Sequence, residues 1–357
     1  MSKSKQIPSR ETILKLPKTD LHVHLDGSMR IETLIEIAKE KGISLPSMDP
    51  DGLRPFVQMG ETCESLEEYL GAFDITCSVL QDFDSLRRAA FELAEDSALE
   101  NVKYLEVRFC PLLHTNNGLS MPQIVKAVLV GLADAERQYD IITGVIICGI
   151  RHMSVENSVA LAKLTIDFKN RGVVAFDLAG AEYDNPAKHH RDAFHMILNE
   201  NINCTIHAGE AFGPQSISQA LHFCGAHRIG HGTRLIEDRD LLNYVNDHRI
   251  PLEVCLISNL QTKAVDKLEN HPLKKYYDMG LRVTINTDNR LVSNTTVTDE
   301  LLLAAELFEL NLNDLANLII NGFKSAFLPH NKKTRLLRSV MAELDEQLGI
   351  QRSKYGY

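Results

Sequence analysis

The chain has no tryptophan, and aromatic residues make up only 6% of its 357 positions. Its seven cysteines, Cys63, Cys77, Cys110, Cys148, Cys204, Cys224 and Cys255, contain no C-x-x-C pair, which argues against a cysteine-built zinc site. Their odd number and scattered spacing give no disulfide framework, and several sit in apolar runs such as YLEVRFCPLL and GVIICGI. Buried thiols in a reducing cytoplasm are the expectation. No run of about eighteen apolar residues occurs, so no membrane-spanning helix is expected. The opening MSKSKQIPSR lacks an apolar h-region, so no secretion signal is read and a cytoplasmic location is expected. Basic residues number 38 against 48 acidic ones, a formal net charge of −10. A nucleic acid or anionic membrane surface needs the opposite balance, which leaves a small molecule as the expected partner. G-x-G-x-x-G and Walker-type loops are missing, which weakens the case for an open doubly wound nucleotide-binding sheet.

What is present is an alternation. Hydrophobic residues form 44% of the chain, enough for a sizeable core. Eight β-rich runs recur: TDLHVHL from Thr19, VKYLEVRF from Val102, TGVIICGI from Thr143, VVAFDLA from Val173, INCTIHA from Ile202, HRIGH from His227, PLEVCLI from Pro251 and RVTINTD from Arg282. Amphipathic stretches lie between most of them, such as SLRRAAFELAEDSALE and PQIVKAVLVGLADAERQY, with apolar residues at helical spacing. Strand and helix alternating eight times predicts an α/β fold, a (β/α)8 TIM-like barrel with additional helices, occupying residues 1–357 as a single domain with its core at about 14–345. The segment at about 43–80 is extra to the alternation. Its Phe56, Leu66, Tyr69, Leu70 and Phe73 fall at helical spacing, and predict either a helix packed on the barrel or a lid over its mouth. The stretch from Asp299 onward reads as helices.

His22-Val23-His24 places two imidazoles on one face of a strand, as two ligands of one metal require. With fourteen histidines in the chain, about half an H-x-H pair arises by chance, so the pair alone is weak. Three later runs end in residues of catalytic type: His207 and Glu210 in TIHAGE, His231 in RIGHG and Asp288 in TINTD. Polar groups at the carboxyl ends of several barrel strands are how this fold builds an active site. A charged Asp288 directly after the apolar VTI is costly unless paired or bound to metal. His22, His24, His207 and Asp288 form the candidate ligand set, three imidazoles and a carboxylate without thiolate. That set suits one zinc ion with a position left for water, whose pKa zinc lowers to about 7; iron, cobalt and manganese fit the same donors.

The segments TDLHVHLDGS, VKYLEVRF, FDLAG, IHAGEA, RIGHGTR, SNLQT and NTDN, in this order, resemble the adenosine deaminase family from about Leu14 to the end of the last barrel helix. The resemblance implies zinc-dependent hydrolytic deamination of adenosine and 2′-deoxyadenosine in purine salvage. It implies that His22, His24, His207 and Asp288 bind zinc, with His24 also beside the substrate. Glu210 would protonate N1 of the purine as C6 is attacked, and His231 would orient the water and steady the developing negative charge. Asp288 would also accept a hydrogen bond from that water. Gly180 would meet N3 through its backbone, and Asp26 would hold the ribose hydroxyls. The Glu210 role has an independent rationale. Attack at an aromatic C6 places charge on N1, and a buried carboxyl with a raised pKa removes it.

Two departures from the family pattern fall near the substrate. Asn289 stands where many members carry a second Asp, and an amide donates to N7 at any pH. The Cys255–Ser258 stretch lacks the usual Pro-Thr between Cys and Ser, and Lys263 replaces a common glycine. Other 6-aminopurines (adenine, methylthioadenosine, an aminofutalosine-type nucleoside) remain alternative substrates, adenosine monophosphate less so without an evident basic cluster. A barrel hydrolase of a phosphoester or lactone, which has no need of Glu210, is the competing enzyme class. A binding relative that kept the barrel is the competing non-enzyme. Cytidine-type deaminases are excluded because H-x-E and P-C-x-x-C are both absent. The oligomeric state is not legible.

Overall fold

The computed structural model describes residues 7–60 and 66–349, with the side chains of 66–70 outside that description. Eight parallel strands follow one another in chain order: β1 Lys18–His24, β2 Val102–Phe109, β3 Ile142–Ile150, β4 Val173–Ala179, β5 Asn203–Ala208, β6 Arg228–His231, β7 Leu252–Val254 and β8 Val283–Ile285. The two outer strands meet just past β8. The Asp288 amide donates to the His22 carbonyl and the His24 amide to the Asp288 carbonyl, both at 2.7 Å. The sheet therefore closes into the expected (β/α)8 barrel, and three of the candidate ligands, His22, His24 and Asp288, lie on its seam.

Parallel neighbours need long crossovers, and amphipathic helices supply them. Phe83–Leu99 is typical. The Asp82 carboxylate caps its first turn, accepting the Asp84 and Ser85 amides at 3.0 Å. Leu86, Ala89, Ala90 and Leu93 are buried in the core, and each fully buried leucine contributes roughly 1.5–3 kcal/mol. At the opposite end of β1 from the candidate ligands, the buried Lys18 ammonium donates to the carbonyls of Ile13, Leu14 and Leu16 at 2.8–3.0 Å. It closes the end of the short helix Arg10–Lys15 that lies there.

The last three strands are shorter than their sequence runs. PLEVCLI does not continue as strand through Ile257: the chain turns at Cys255 into the helix Leu256–Gln261. The reason is a buried carboxyl group. Glu300 accepts the Leu256 and Ile257 amides at 2.9 and 3.3 Å, satisfying a new helix start where a strand would have needed a ladder partner. The extra segment contains helices Pro50–Val57 and Leu66–Val79. Phe56 is half exposed, at 49%, so its helical spacing does not mark a packed face. Phe73 reaches the barrel mouth, where its ring stands edge-on to His24 at 6.4 Å. Leu66, Tyr69 and Leu70 fall among the side chains outside the described set. The C-terminal region forms the expected helices, Val297–Phe308, Leu312–Ser325 and His330–Leu348. The six described cysteines are free thiols, and Cys63 lies outside the described residues. No helix among the described residues is long and apolar enough to cross a membrane.

Candidate metal centre and active site

Alternate residues of β1 bring both imidazoles of H-x-H to one point. His22 Nε2 lies 3.0 Å, and His24 Nε2 3.2 Å, from His207 Nε2 at the end of β5. Asp288 Oδ1 lies 3.4 and 3.5 Å from the two β1 imidazoles. The four expected ligands therefore converge, each presenting one donor atom.

The protonation of this set follows from what stands behind it. His22 Nδ1 faces Glu253 Oε2 at 2.8 Å, and His207 Nδ1 faces Asp177 Oδ2 at 3.1 Å. Each carboxylate draws the proton to Nδ1 and leaves a lone pair on Nε2. Bare lone pairs about 3 Å apart repel unless a cation lies between them, and tetrahedral zinc with nitrogen at about 2.0–2.1 Å spaces its ligands on this scale. The charge balance agrees. Arg108 bridges Asp177 and Glu253, both at 2.9 Å, while Arg228 pairs with Glu253 and Glu106. All five groups are essentially inaccessible to water. Together with Asp288 they set four carboxylates against two guanidiniums, a deficit of two positive charges that one divalent ion removes. The residues fit a metal.

Sequence reasoning missed this backing layer. Glu253, Asp177 and Arg108 interrupt the apolar runs PLEVC, FDLA and LEVRF, and the argument applied to Asp288 reaches each of them.

The proposed catalytic groups stand above the centre. Asp288 Oδ2 accepts from Ser258 Oγ at 2.5 Å, leaving Oδ1 for the cluster. His231 and Asp288 both adopt a left-handed backbone, φ +60°, a costly conformation for residues with side chains and typical of functional sites. The tautomer of His231 is set from behind. The Leu273 amide donates to His271 Nδ1 at 3.1 Å, so the His271 proton resides on Nε2 and is donated to Asn259 Oδ1 at 3.1 Å. Thr233 Oγ1 donates to the same oxygen at 3.0 Å, which turns the Asn259 NH2 toward His231 Nδ1, 3.0 Å away. His231 therefore carries its proton on Nε2, a buried atom with no hydrogen-bond partner among the described residues that lies 3.6 Å from Glu210 Oε2. Burial pushes His271 down to about 3, so it stays neutral and the relay persists.

Glu210 follows β5 on a turn held by Glu182, whose carboxylate accepts the amides of Gly209, Glu210 and Ala211 at 2.8–3.2 Å. Burial raises the Glu210 pKa, and the neighbouring Asp288 raises it further against the pull of His231. Glu210 is thus biased toward the protonated acid.

One cavity of about 270 Å³ is lined by His24, Asp26, Gly180, Glu210, His231 and Asn289, among others. His22 lies beneath, at the centre itself. Gly180 adopts φ +91°, which leaves its backbone, free of a side chain, facing the opening. Burial raises Asp26 to about 6. A Cβ on Gly27 would stand 1.9 Å from Asn289 Oδ1, so this glycine sets the position of that amide.

A parallel barrel with three histidines and an aspartate converging at its strand ends has the build of a metal-dependent hydrolase. The sequence pattern of the adenosine deaminase family matches residues 17–343. A probable adenosine deaminase of Dictyostelium discoideum is 42% identical over 328 residues, covering 92% of this chain and 42% of that protein, so the chain spans less than half of that relative's length. The adenosine deaminase of Clostridium acetobutylicum is 39% identical, with 93% of this chain and 99% of that one covered. The crystal structure of an adenine deaminase from Arthrobacter aurescens superposes with a TM-score of 0.86 at 27% identity, covering 94% of this chain and 99% of that one. The chain belongs to the adenosine deaminase family and is a hydrolase acting on carbon–nitrogen bonds.

Proposed function

We propose that the chain hydrolyses adenosine and 2′-deoxyadenosine to the corresponding 6-oxo nucleosides, water supplying the oxygen at C6 and ammonia leaving. The observation that carries this reading is Glu210. A carboxyl biased toward its protonated form stands in one cavity with the convergent metal ligands, and C6 substitution on a purine needs such an acid at N1.

His22, His24, His207 and Asp288 would hold one zinc ion. The ion supplies Lewis-acid activation of water when bound. His231 Nε2–H donates to the attacking oxygen and steadies its charge. Asp288 accepts a hydrogen bond from the water, while Ser258 holds its other oxygen. Glu210 delivers its proton to N1. The Gly180 backbone meets N3, Asn289 donates to N7, and Asp26 accepts from the ribose hydroxyls. The helix Leu66–Val79, through Phe73, serves as a lid over the cavity.

Ammonia release from adenosine, measured together with metal content, tests the reading. Activity should track zinc at one ion per chain, and a metal-free protein with full activity would refute it. The Arthrobacter relative makes free adenine the second substrate to try. Asp26→Ala separates the two: it should impair adenosine turnover and leave adenine turnover, where present, unchanged.

A further inference from the structure

A second cluster with metal-ligating chemistry lies beside the first. Asp26 follows β1, Cys77 sits on the helix Leu66–Val79, and His114 ends the short turn after β2. Their donor atoms all lie within 4.8 Å of one another. The Cys77 sulfur is 3.8 Å, and His114 Nε2 3.9 Å, from Asp26 Oδ2. A tetrahedral ion bound to sulfur at about 2.3 Å and to nitrogen and oxygen at about 2.0–2.2 Å brings such atoms to roughly 3.5 Å, a little inside both distances to Asp26 Oδ2.

A buried atom points to a missing partner. His114 Nδ1 donates to the Leu80 carbonyl at 2.9 Å, so the lone pair of the neutral ring lies on Nε2. That atom is buried without a hydrogen-bond partner among the described residues. His114 is fully buried and Asp26 is 97% buried, at 3% exposure. An imidazole lone pair therefore faces a carboxylate oxygen across 3.9 Å, an arrangement that invites a cation. A carboxylate and a thiolate together balance a divalent charge.

We infer that Asp26, Cys77 and His114 form a second binding site for a soft divalent cation such as zinc or cobalt, and that filling it withdraws Asp26 from the substrate. Binding forms bonds to Oδ2, Sγ and Nε2 and releases the thiol proton to solvent. The second half of the inference rests on the reading of Asp26 as a ribose ligand.

Sulfur makes the site observable, because the first centre contains none. The holoenzyme, with its first metal in place, is titrated with cobalt(II). The expected result is one further equivalent bound, with a sulfur-to-cobalt charge-transfer band in the near ultraviolet. Cys77→Ser should lose the band, and His114→Gln should weaken cobalt binding by about tenfold or more. Both variants should keep basal turnover and thermal stability close to wild type, and Cys77→Ala serves if the serine destabilises. No band at saturating cobalt, or an unchanged band in Cys77→Ser, overturns the site. Excess zinc should raise KM for adenosine in the wild type and not in Cys77→Ser. A cobalt band with an unmoved KM overturns the link to Asp26. If adenosine proves not to be a substrate at all, the cobalt titration still decides the site.

Discussion

Glu210→Gln keeps the shape of the acid and removes its proton. It is expected to lower kcat for adenosine by about 10²–10⁴-fold with zinc content unchanged. Because burial raises the wild-type carboxyl, kcat should fall on the alkaline side as Glu210 deprotonates, and retained activity in the glutamine variant would remove it from the protonation step. His271 touches nothing in the cavity, yet His271→Ala frees Asn259 and with it the His231 tautomer. A loss of about tenfold in kcat with little change in KM is expected, and equal losses in both would indicate a merely structural role. Asn289 is tested by its chemistry: the penalty for 7-deazaadenosine over adenosine should vanish in Asn289→Ala. Much of this site was legible because H-x-H, HAGE, GHG and NTD put strongly polar residues at the ends of apolar strands. His271 and Asn259 were not, since their role is a hydrogen-bond direction that depends on two loops meeting. Cys77 and His114 were equally silent, being 37 positions apart in unrelated contexts.

Among the elements, the helix after β7 shows how a tertiary contact overrides a local pattern. Cys255-Leu256-Ile257 continues an apolar run and reads as strand, but the Glu300 carboxyl, supplied from Val297–Phe308, receives its amides. Periodicity in one segment carries no information about a carboxyl group some forty residues on. Burial raises Glu300 to about 8 from its ordinary 4.5. Between these values the folded protein retains a proton that the unfolded chain has lost. Its contribution to stability is therefore full below about pH 4.5 and lost as pH rises through 8. Glu300→Gln should flatten this decline by up to about 1.4 kcal/mol per pH unit, read from denaturant unfolding at pH 5, 6, 7 and 8. A slope identical to wild type would show the carboxylate to be ionised throughout. The long strands β1 to β5 and the C-terminal helices followed their sequence patterns closely because the strand face that packs against the helices, and one stripe of each helix, must be apolar to be buried, while the other strand face carries paired polar groups such as Arg108 and Asp177.

The molecule as a whole carries its charge unevenly. A column of paired acidic and basic side chains runs through the barrel from Arg228 and Glu106, through Glu253, Arg108 and Asp177, to the proposed metal ligands. Without a cation the column holds two excess negative charges away from water. Stripping the metal with a chelator should lower Tm by several degrees, as loss of a ligand held at 100 times its Kd costs about 2.7 kcal/mol. Calorimetry with and without added zinc measures this, and an unchanged Tm would mean that the column is balanced by proton uptake instead. Such a column also explains why eight-fold alternation announced the barrel while the filling of its interior stayed hidden. Alternation reports which residues leave water, and Arg108 or Glu253 within an apolar run is a partner sought across the barrel, not along the chain.

The seam where the barrel closes has a kinetic consequence. The amides of His24 and Asp288 are locked in reciprocal main-chain bonds between the first strand and the end of the last, and the side chains of the same two residues would grip the metal. Any opening of the cylinder along this line would have to pull the ligand set apart, so occupancy of the centre would slow the breathing of the sheet. Deuterium uptake at those two amides would then serve as a local gauge of metal loading, fast in the stripped protein and nearly frozen in the loaded one, in the absence of any substrate.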